Sequence, residues 1–185
     1  DFIEINKRIL ENRSMPSLAE AFSGLRKLVA RGQSEDEEIT PLLTIIKTAQ
    51  NLHSLSLEIQ MEGELPVGSL LNSLARTHDK LQILHLHLLA ISEVTLESIR
   101  LSIQQLHLKQ VEVKADDWRV SASSLENFLK SLSDHKFLES ITIGPFSLYH
   151  AEVFDDIRKA SLFKGEQLAS FSILSSSSSN FEAMQ

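Results

Sequence analysis

Residues 81–88 read Leu-Gln-Ile-Leu-His-Leu-His-Leu. Leu84, Leu86 and Leu88 alternate with His85 and His87, and a period of two places leucines on one face of a strand and histidines on the other. Leu81, three positions ahead of Leu84, extends the stretch into the pattern apolar-x-x-apolar-x-apolar, which returns along the chain. It is found at Leu52, Leu55 and Leu57, at Ile103, Leu106 and Leu108, at Leu138, Ile141 and Ile143, and at Leu168, Phe171 and Ile173. A weaker copy, Leu25, Leu28 and Ala30, precedes them. Successive starts lie 27, 29, 22, 35 and 30 residues apart, about 29 on average, close to one strand plus one helix.

The segments between the triplets carry helical spacing and helix-start signals. Thr40 and Pro41 lead into Leu42, Leu43, Ile45 and Ile46, and Pro66 opens Leu70, Leu71 and Leu74. Ser123 with Glu126 forms a capping box ahead of Phe128, Leu129 and Leu132. Ser92 is the candidate cap of a shorter helix over 91–101, Ser17 with Glu20 caps an N-terminal helix, and Val153 with Ile157 marks a last one. Strand and helix in alternation predict an α/β fold with a parallel sheet. A doubly wound domain gives the same alternation. Short strands with polar alternation, in place of continuous apolar runs, and the constant phase of the triplet favour a solenoid. The expected architecture has short parallel β-strands on the concave side and helices on the convex side. A single repeat domain is expected over 1–174, clearest in 40–174, followed by a Ser-rich flexible tail over 175–185.

These triplets resemble a degenerate leucine-rich repeat of the ribonuclease-inhibitor-like or F-box-associated type. The family pattern expects Asn or Cys at its ninth position; here that position holds Gln60, Leu89, Val111, Phe146 and Ser176. The resemblance thus implies irregular loops after the strands, as in adaptors and scaffolds.

Composition narrows the function. The chain has 185 residues, 18 Lys and Arg against 25 Asp and Glu, a net charge of −7 and 42% hydrophobic residues, enough for one folded domain with a core. An acidic balance without a basic stripe argues against nucleic acid. No apolar run approaches the roughly 20 residues of a membrane span. Zero cysteines remove disulfides, thiol nucleophiles and thiolate metal sites. The chain begins at Asp1 without a signal-like apolar core, so we expect a piece of a longer protein. Its six glycines form neither a dinucleotide fingerprint nor a P-loop, and no zinc-protease or nucleophile-elbow motif is present. The expectation is a protein that is not an enzyme and holds no cofactor. Asn12-Arg13-Ser14 matches a glycosylation sequon by pattern alone.

Strand alternation defines the candidate site. The polar residues of each triplet point away from the core and should align in columns about 4.8 Å apart. The middle column is expected to run Ser56, His85, His107, Thr142 and Ser172, one flank Ser54, Ile83, Gln105, Ser140 and Ser170, and the other Glu58, His87, Lys109, Gly144 and Leu174. His85, His87 and His107 should then cluster beside Lys109. Such a cluster reads in three ways: as ordinary half-exposed surface, as a partner-binding patch that gains charge near pH ~6.5, or as a metal site. The metal reading lacks a further ligand, Glu58 being a repeat away. Two other features stand out. Ser34-Glu35-Asp36-Glu37-Glu38 is an acidic run, read as a solvated loop or a docking site for a basic partner. Trp118 and Arg119 sit in the segment after the third strand, as a loop contact if exposed and as packing if not.

Together these readings point to a protein–protein interaction module that recruits its partner on the concave face, in cytoplasm or nucleus. The resemblance implies the substrate-recruiting part of an F-box-type (SCF) ubiquitin ligase adaptor, with a Skp-type adaptor and a cullin bound through an F-box ahead of Asp1. Phe2 to Asn12 is too short to hold one. A structural scaffold subunit, the ligand-sensing repeat domain of a nucleotide-binding immune receptor, and a small α/β enzyme are the alternatives.

Overall fold

In the computed structural model, which describes residues 2–5, 22–34, 39–61, 65–146 and 170–175, the apolar triplets lie side by side. Leu28, Leu55, Leu84, Val111 and Ile141 form one row across the sheet, and Ala30, Leu57, Leu86, Val113 and Ile143 form the next. All ten are buried. The strands that carry them are β2 (Lys27–Ser34), β3 (Ser54–Met61), β4 (Ile83–Ser92), β5 (Gln110–Arg119) and β6 (Ser140–Phe146), flanked in the sheet by β1 (Phe2–Ile5) and β7 (Ser170–Ser175). Every neighbouring pair is parallel, and the order across the sheet is the order along the chain. Between β2 and β6 each crossover holds one helix: α1 (Ile39–Thr48), α2 (Leu65–Thr77), α3 (Glu93–Gln105) and α4 (Ala122–Ser133). The fold is α/β with an all-parallel sheet.

Each helix buries a stripe at helical spacing. In α4 the stripe is Leu125, Phe128, Leu129 and Leu132, and in α3 it is Leu96, Ile99 and Ile103. Neighbouring helices pack on one another, α1 on α2, α2 on α3 and α3 on α4. Their stripes and the strand rows make one core cluster. Pro41 and Pro66 both fall in first turns, where a missing N–H leaves no bond unmade. Ser92 caps α3, its Oγ accepting from the Thr95 N–H at 3.2 Å. The cap of α4 is Ser121, which accepts from the Ser124 N–H at 3.2 Å, in place of the expected Ser123. Glu93 of α3 accepts from the Ser121 N–H at 2.6 Å. Hydrogen bonds from Ser124 and Ser121 hold its carboxyl below the usual carboxylate range.

The third triplet is not where its spacing placed it. Ile103 belongs to the buried stripe of α3, Leu106 is its C-cap, and the strand begins at Gln110. The triplet in register with its neighbours is Leu108, Val111 and Val113. Repeat starts among the described residues are then Leu25, Leu52, Leu81, Leu108 and Leu138, separated by 27, 29, 27 and 30 residues. The irregular spacings of 22 and 35 arose from one misplaced strand. The position expected to hold Val111 after the strand is Asp116 on this register, again neither Asn nor Cys.

Three further expectations change. Trp118 lies inside β5, not in a loop after it, and is only 7% exposed, its ring 4.4 Å from Phe146. Ser175 closes β7 and so is strand, not tail. In β6, Gly144 has φ +124° and approaches β7 so closely that a Cβ would meet the Leu174 carbonyl oxygen at 2.5 Å. There the ladder breaks, resuming at Phe146 and Ser175, so Gly144 and Leu174 are not column partners. The helices expected around Ser17 and Val153, the sequon at 12–14, Leu168, Ser176 and residues 35–38 of the acidic run lie outside the described residues.

The register has a direct consequence. Val113→Asp places an unpaired carboxylate in the core and should abolish the cooperative thermal transition followed by circular dichroism. His107→Asp, on an exposed loop position, should shift Tm by no more than a few degrees. A cooperative transition that survives Val113→Asp would take Val113 out of the buried row.

Candidate functional site

Side chains that alternate with the buried rows point to the sheet face opposite the helices. Strand pairing aligns them in three columns. The first is Lys27, Ser54, Ile83, Gln110, Ser140 and Ser170, and the second is Val29, Ser56, His85, Glu112, Thr142 and Ser172. The third is Arg31, Glu58, His87 and Lys114. Except for Val29, all of these are at least partly exposed.

Ten of the residues expected on this face are there: Ser54, Ser56, Glu58, Ile83, His85, His87, Ser140, Thr142, Ser170 and Ser172. Gln105, His107 and Lys109 are not. Gln105 ends α3, His107 sits in the connection to β5, and Lys109 precedes β5, where it pairs with Glu139 at 3.3 Å. The expected group of His85, His87, His107 and Lys109 therefore does not form. Glu112 takes the place beside His85, and Lys114 the place beside His87. Gln110, Glu112 and Lys114 were legible as polar residues alternating with Val111 and Val113 once that strand is recognised. Lys27 and Arg31 follow from the weaker triplet at Leu25.

The third column is a row of charges. Arg31 Nε lies 3.0 Å from Glu58 Oε2, Glu58 Oε1 lies 4.0 Å from His87 Nδ1, and His87 Nε2 lies 3.2 Å from Asp116 Oδ1. The row crosses β2, β3, β4 and β5, and Glu58, a repeat away in sequence, is next to His87 in space. Lys114 pairs with Glu112 at 2.8 Å. Exposed pairs of this kind contribute roughly 0–1 kcal/mol each, so the row shapes what the face can bind more than whether the sheet holds together. Arg119 pairs with Asp117 at 2.6 Å at the exposed end of β5, and with Trp118 buried the two do not form a joint loop contact.

Two other histidines hold the fold. His135 donates from Nε2 to the carbonyls of Ile103 (3.1 Å) and Leu106 (3.0 Å), while its Nδ1 accepts from the Phe137 N–H (3.3 Å). It thereby closes the C-terminal end of α3. His78, at the same place in its own repeat three residues ahead of Leu81, is buried. Its Nδ1 lies 2.5 Å from the Thr77 hydroxyl.

Burial lowers the pKa of His85, with Glu112 opposing and Lys114 and Lys27 adding to the shift. Its Nε2 is shut away from water without a hydrogen-bond partner. His78 is lowered by burial too, with the carbonyls of Ile46, Ala49 and Leu74 and the charge of Asp79 opposing. Among the described residues no group of three or more His, Cys, Asp or Glu side chains is placed to hold a metal ion. No described helix is long and apolar enough to cross a membrane.

The sequence matches no protein-family model, and no curated protein matches it at a significant level.

The two lowered histidines set a pH dependence. A folded-state pKa below the ordinary value of 6.5 means that the unfolded chain binds more protons, so stability is complete above that value and falls as pH drops toward the folded pKa. Thermal melts between about pH 7.5 and about pH 5 should show Tm falling with acidity, and His85→Gln should reduce the fall without removing the share due to His78. A Tm that stays flat over that range, or a wild-type slope retained in H85Q, would contradict the assignment to His85.

Proposed function

We propose that this chain is a degenerate leucine-rich-repeat module that binds a protein partner on the open, concave face of its sheet. The observation that carries the reading is that face itself. Four strands, β3 to β6, present Ser54, Ser56, Glu58, Ile83, His85, His87, Gln110, Glu112, Ser140 and Thr142 opposite the helices, at least partly exposed. A repeat unit of 27 to 30 residues with one helix per crossover supports the repeat assignment. Mixed charges, imidazoles and hydroxyls in columns suit a peptide or a convex protein surface, which can be read one strand at a time.

In its most specific form, the module is the substrate-recruiting part of an F-box-type (SCF) ubiquitin ligase adaptor. An F-box ahead of Asp1 binds a Skp-type adaptor and, through it, a cullin, in cytoplasm or nucleus. The face binds protein rather than nucleic acid: Lys27, Arg31 and Lys114 are balanced by Glu58, Glu112 and Asp116, and phosphate contacts need an excess of cations.

Affinity purification of the full-length protein from cells, followed by mass spectrometry, tests both levels. The expected result is a Skp-type adaptor and a cullin in near-stoichiometric amount together with a set of other proteins. The double variant His85→Ala with Glu112→Ala should lower recovery of that set at least tenfold, keep the adaptor and cullin, and leave Tm within a few degrees. Absence of adaptor and cullin would overturn the ligase role. Undiminished recovery of the other proteins by the double variant would overturn the open face as the binding site.

A further inference from the structure

The connections that enter β5 and β6 enclose a cleft of about 340 Å³ at one end of the sheet, away from the open face. Its size is in the range of roughly 300–1,000 Å³ typical of ligand sites. Gln104, Gln105, His107, Asp134, Lys136 and Phe137 contribute to its walls. We infer that this cleft is a docking site for an arginine side chain presented by a partner protein.

Three observations converge on that ligand. Phe137 is 49% exposed, and its ring lies tilted against His107 at 4.8 Å and 53°, with His135 edge-on at 6.1 Å. A single exposed aromatic residue is ordinary, but this one is held by two imidazoles and turns its uncovered area to a cleft. A flat cation is a matched partner for such a ring.

The charge of the cleft has a direction. α3 ends at Gln105 and α4 at Ser133, so two helix C-termini border the same space, each carrying partial negative charge on carbonyls without intrahelical partners. The last turn of α3 holds no basic residue. Asp134, the C-cap of α4, adds a full negative charge and makes no ion pair among the described residues. An anion would meet both helix ends and this carboxylate.

The lysine already lining the cleft is Lys136; His135, whose Nδ1 accepts from the Phe137 N–H, is spent on the carbonyls of Ile103 and Leu106, and Lys130 lies in the last turn of α4 outside the lining. Lys136 is exposed on a flexible stem and competes with an incoming cation without filling the aromatic platform.

Arginine fits better than lysine because its guanidinium is planar, stacks on a ring and carries five donors in one plane. Stacked on Phe137, it can place donors toward the Asp134 carboxylate and the Gln105 carboxamide. The Gln104 carboxamide already accepts from Arg100 at 3.2 Å, which leaves its neighbour for the ligand. The site is independent of the open face, so either assignment can fail without the other.

The probe is the peptide acetyl-Gly-Gly-Arg-Gly-Gly-amide, titrated into the labelled chain and followed by amide shifts in NMR spectra. Its citrulline counterpart has the same shape without the charge. Saturable shifts confined to 104–107 and 131–137 are expected, with Kd of about 1 mM for a single anchoring side chain. Binding should weaken at least fivefold in Asp134→Asn and in Phe137→Ala, tighten in Lys136→Gln, and disappear for the citrulline peptide. Absence of saturation, equal binding of the citrulline peptide, or shifts located elsewhere would overturn the inference.

Discussion

One backbone interaction, repeated, sets the geometry of everything else. The carbonyl just after the first leucine of each repeat accepts two N–H groups from the next repeat. Arg26 accepts from His53 (2.8 Å) and Ser54 (3.0 Å), His53 from Gln82 (2.9 Å) and Ile83 (3.0 Å), Gln82 from Lys109 (2.8 Å) and Gln110 (3.0 Å), and Lys109 from Glu139 (2.8 Å) and Ser140 (3.0 Å). This ladder starts each strand level with its neighbour. Because side chains alternate with a period of two, a slip of one residue at this point would exchange the buried and open faces of a whole strand. The leucine ahead of each carbonyl is buried, so the core and the ladder enforce the same register.

Much of this was legible in the sequence because the constraint writes itself into composition. A strand with helices on one face and no cover on the other must alternate, and Leu-Ser-Leu-Glu-Ile at 55–59 and Leu-His-Leu-His-Leu at 84–88 do so plainly. The exception is instructive. Ile103, Leu106 and Leu108 satisfy the triplet because two residues three apart are equally the mark of a helix face, and all three are buried. Burial alone cannot distinguish the end of α3 from the beginning of β5. The signals that could have done so are Val111 and Val113, β-branched and alternating with Gln110, Glu112 and Lys114, together with the regular spacing they restore.

The candidate site followed the same limits. Column members drawn from β3, β4 and the first residues of β6, Ser140 and Thr142, fall where their strands place them, and Gly144 lies where the ladder breaks. The histidine cluster dissolved because its third member came from the wrong side of a helix end. Trp118 escaped for another reason. Along β4 and β5 the alternation changes phase, so that Ile91 and Trp118 turn inward after Leu88 and Ala115. A strand that shifts its face midway leaves Ala-Asp-Asp-Trp-Arg looking like a loop. What replaces the cluster is a face on which His85 is held neutral by burial next to Glu112, while His87 stands between two carboxylates. Its chemistry is balanced in sign, which favours recognition of a particular shape and charge pattern over general attraction.

The pairing of His85 with Glu112 is the point on which fold and site both turn, and the absence of cysteines makes it open to a direct measurement. The double variant His85→Cys with Glu112→Cys places two thiols on the same face of adjacent strands, within the roughly 4.4–6.8 Å between Cα atoms that a disulfide spans. Under mild oxidation it should form an intramolecular disulfide in the native protein, and His85→Cys with His107→Cys should not. A disulfide formed by the second pair and refused by the first would place β5 at 103–108 and take the columns of the open face with it.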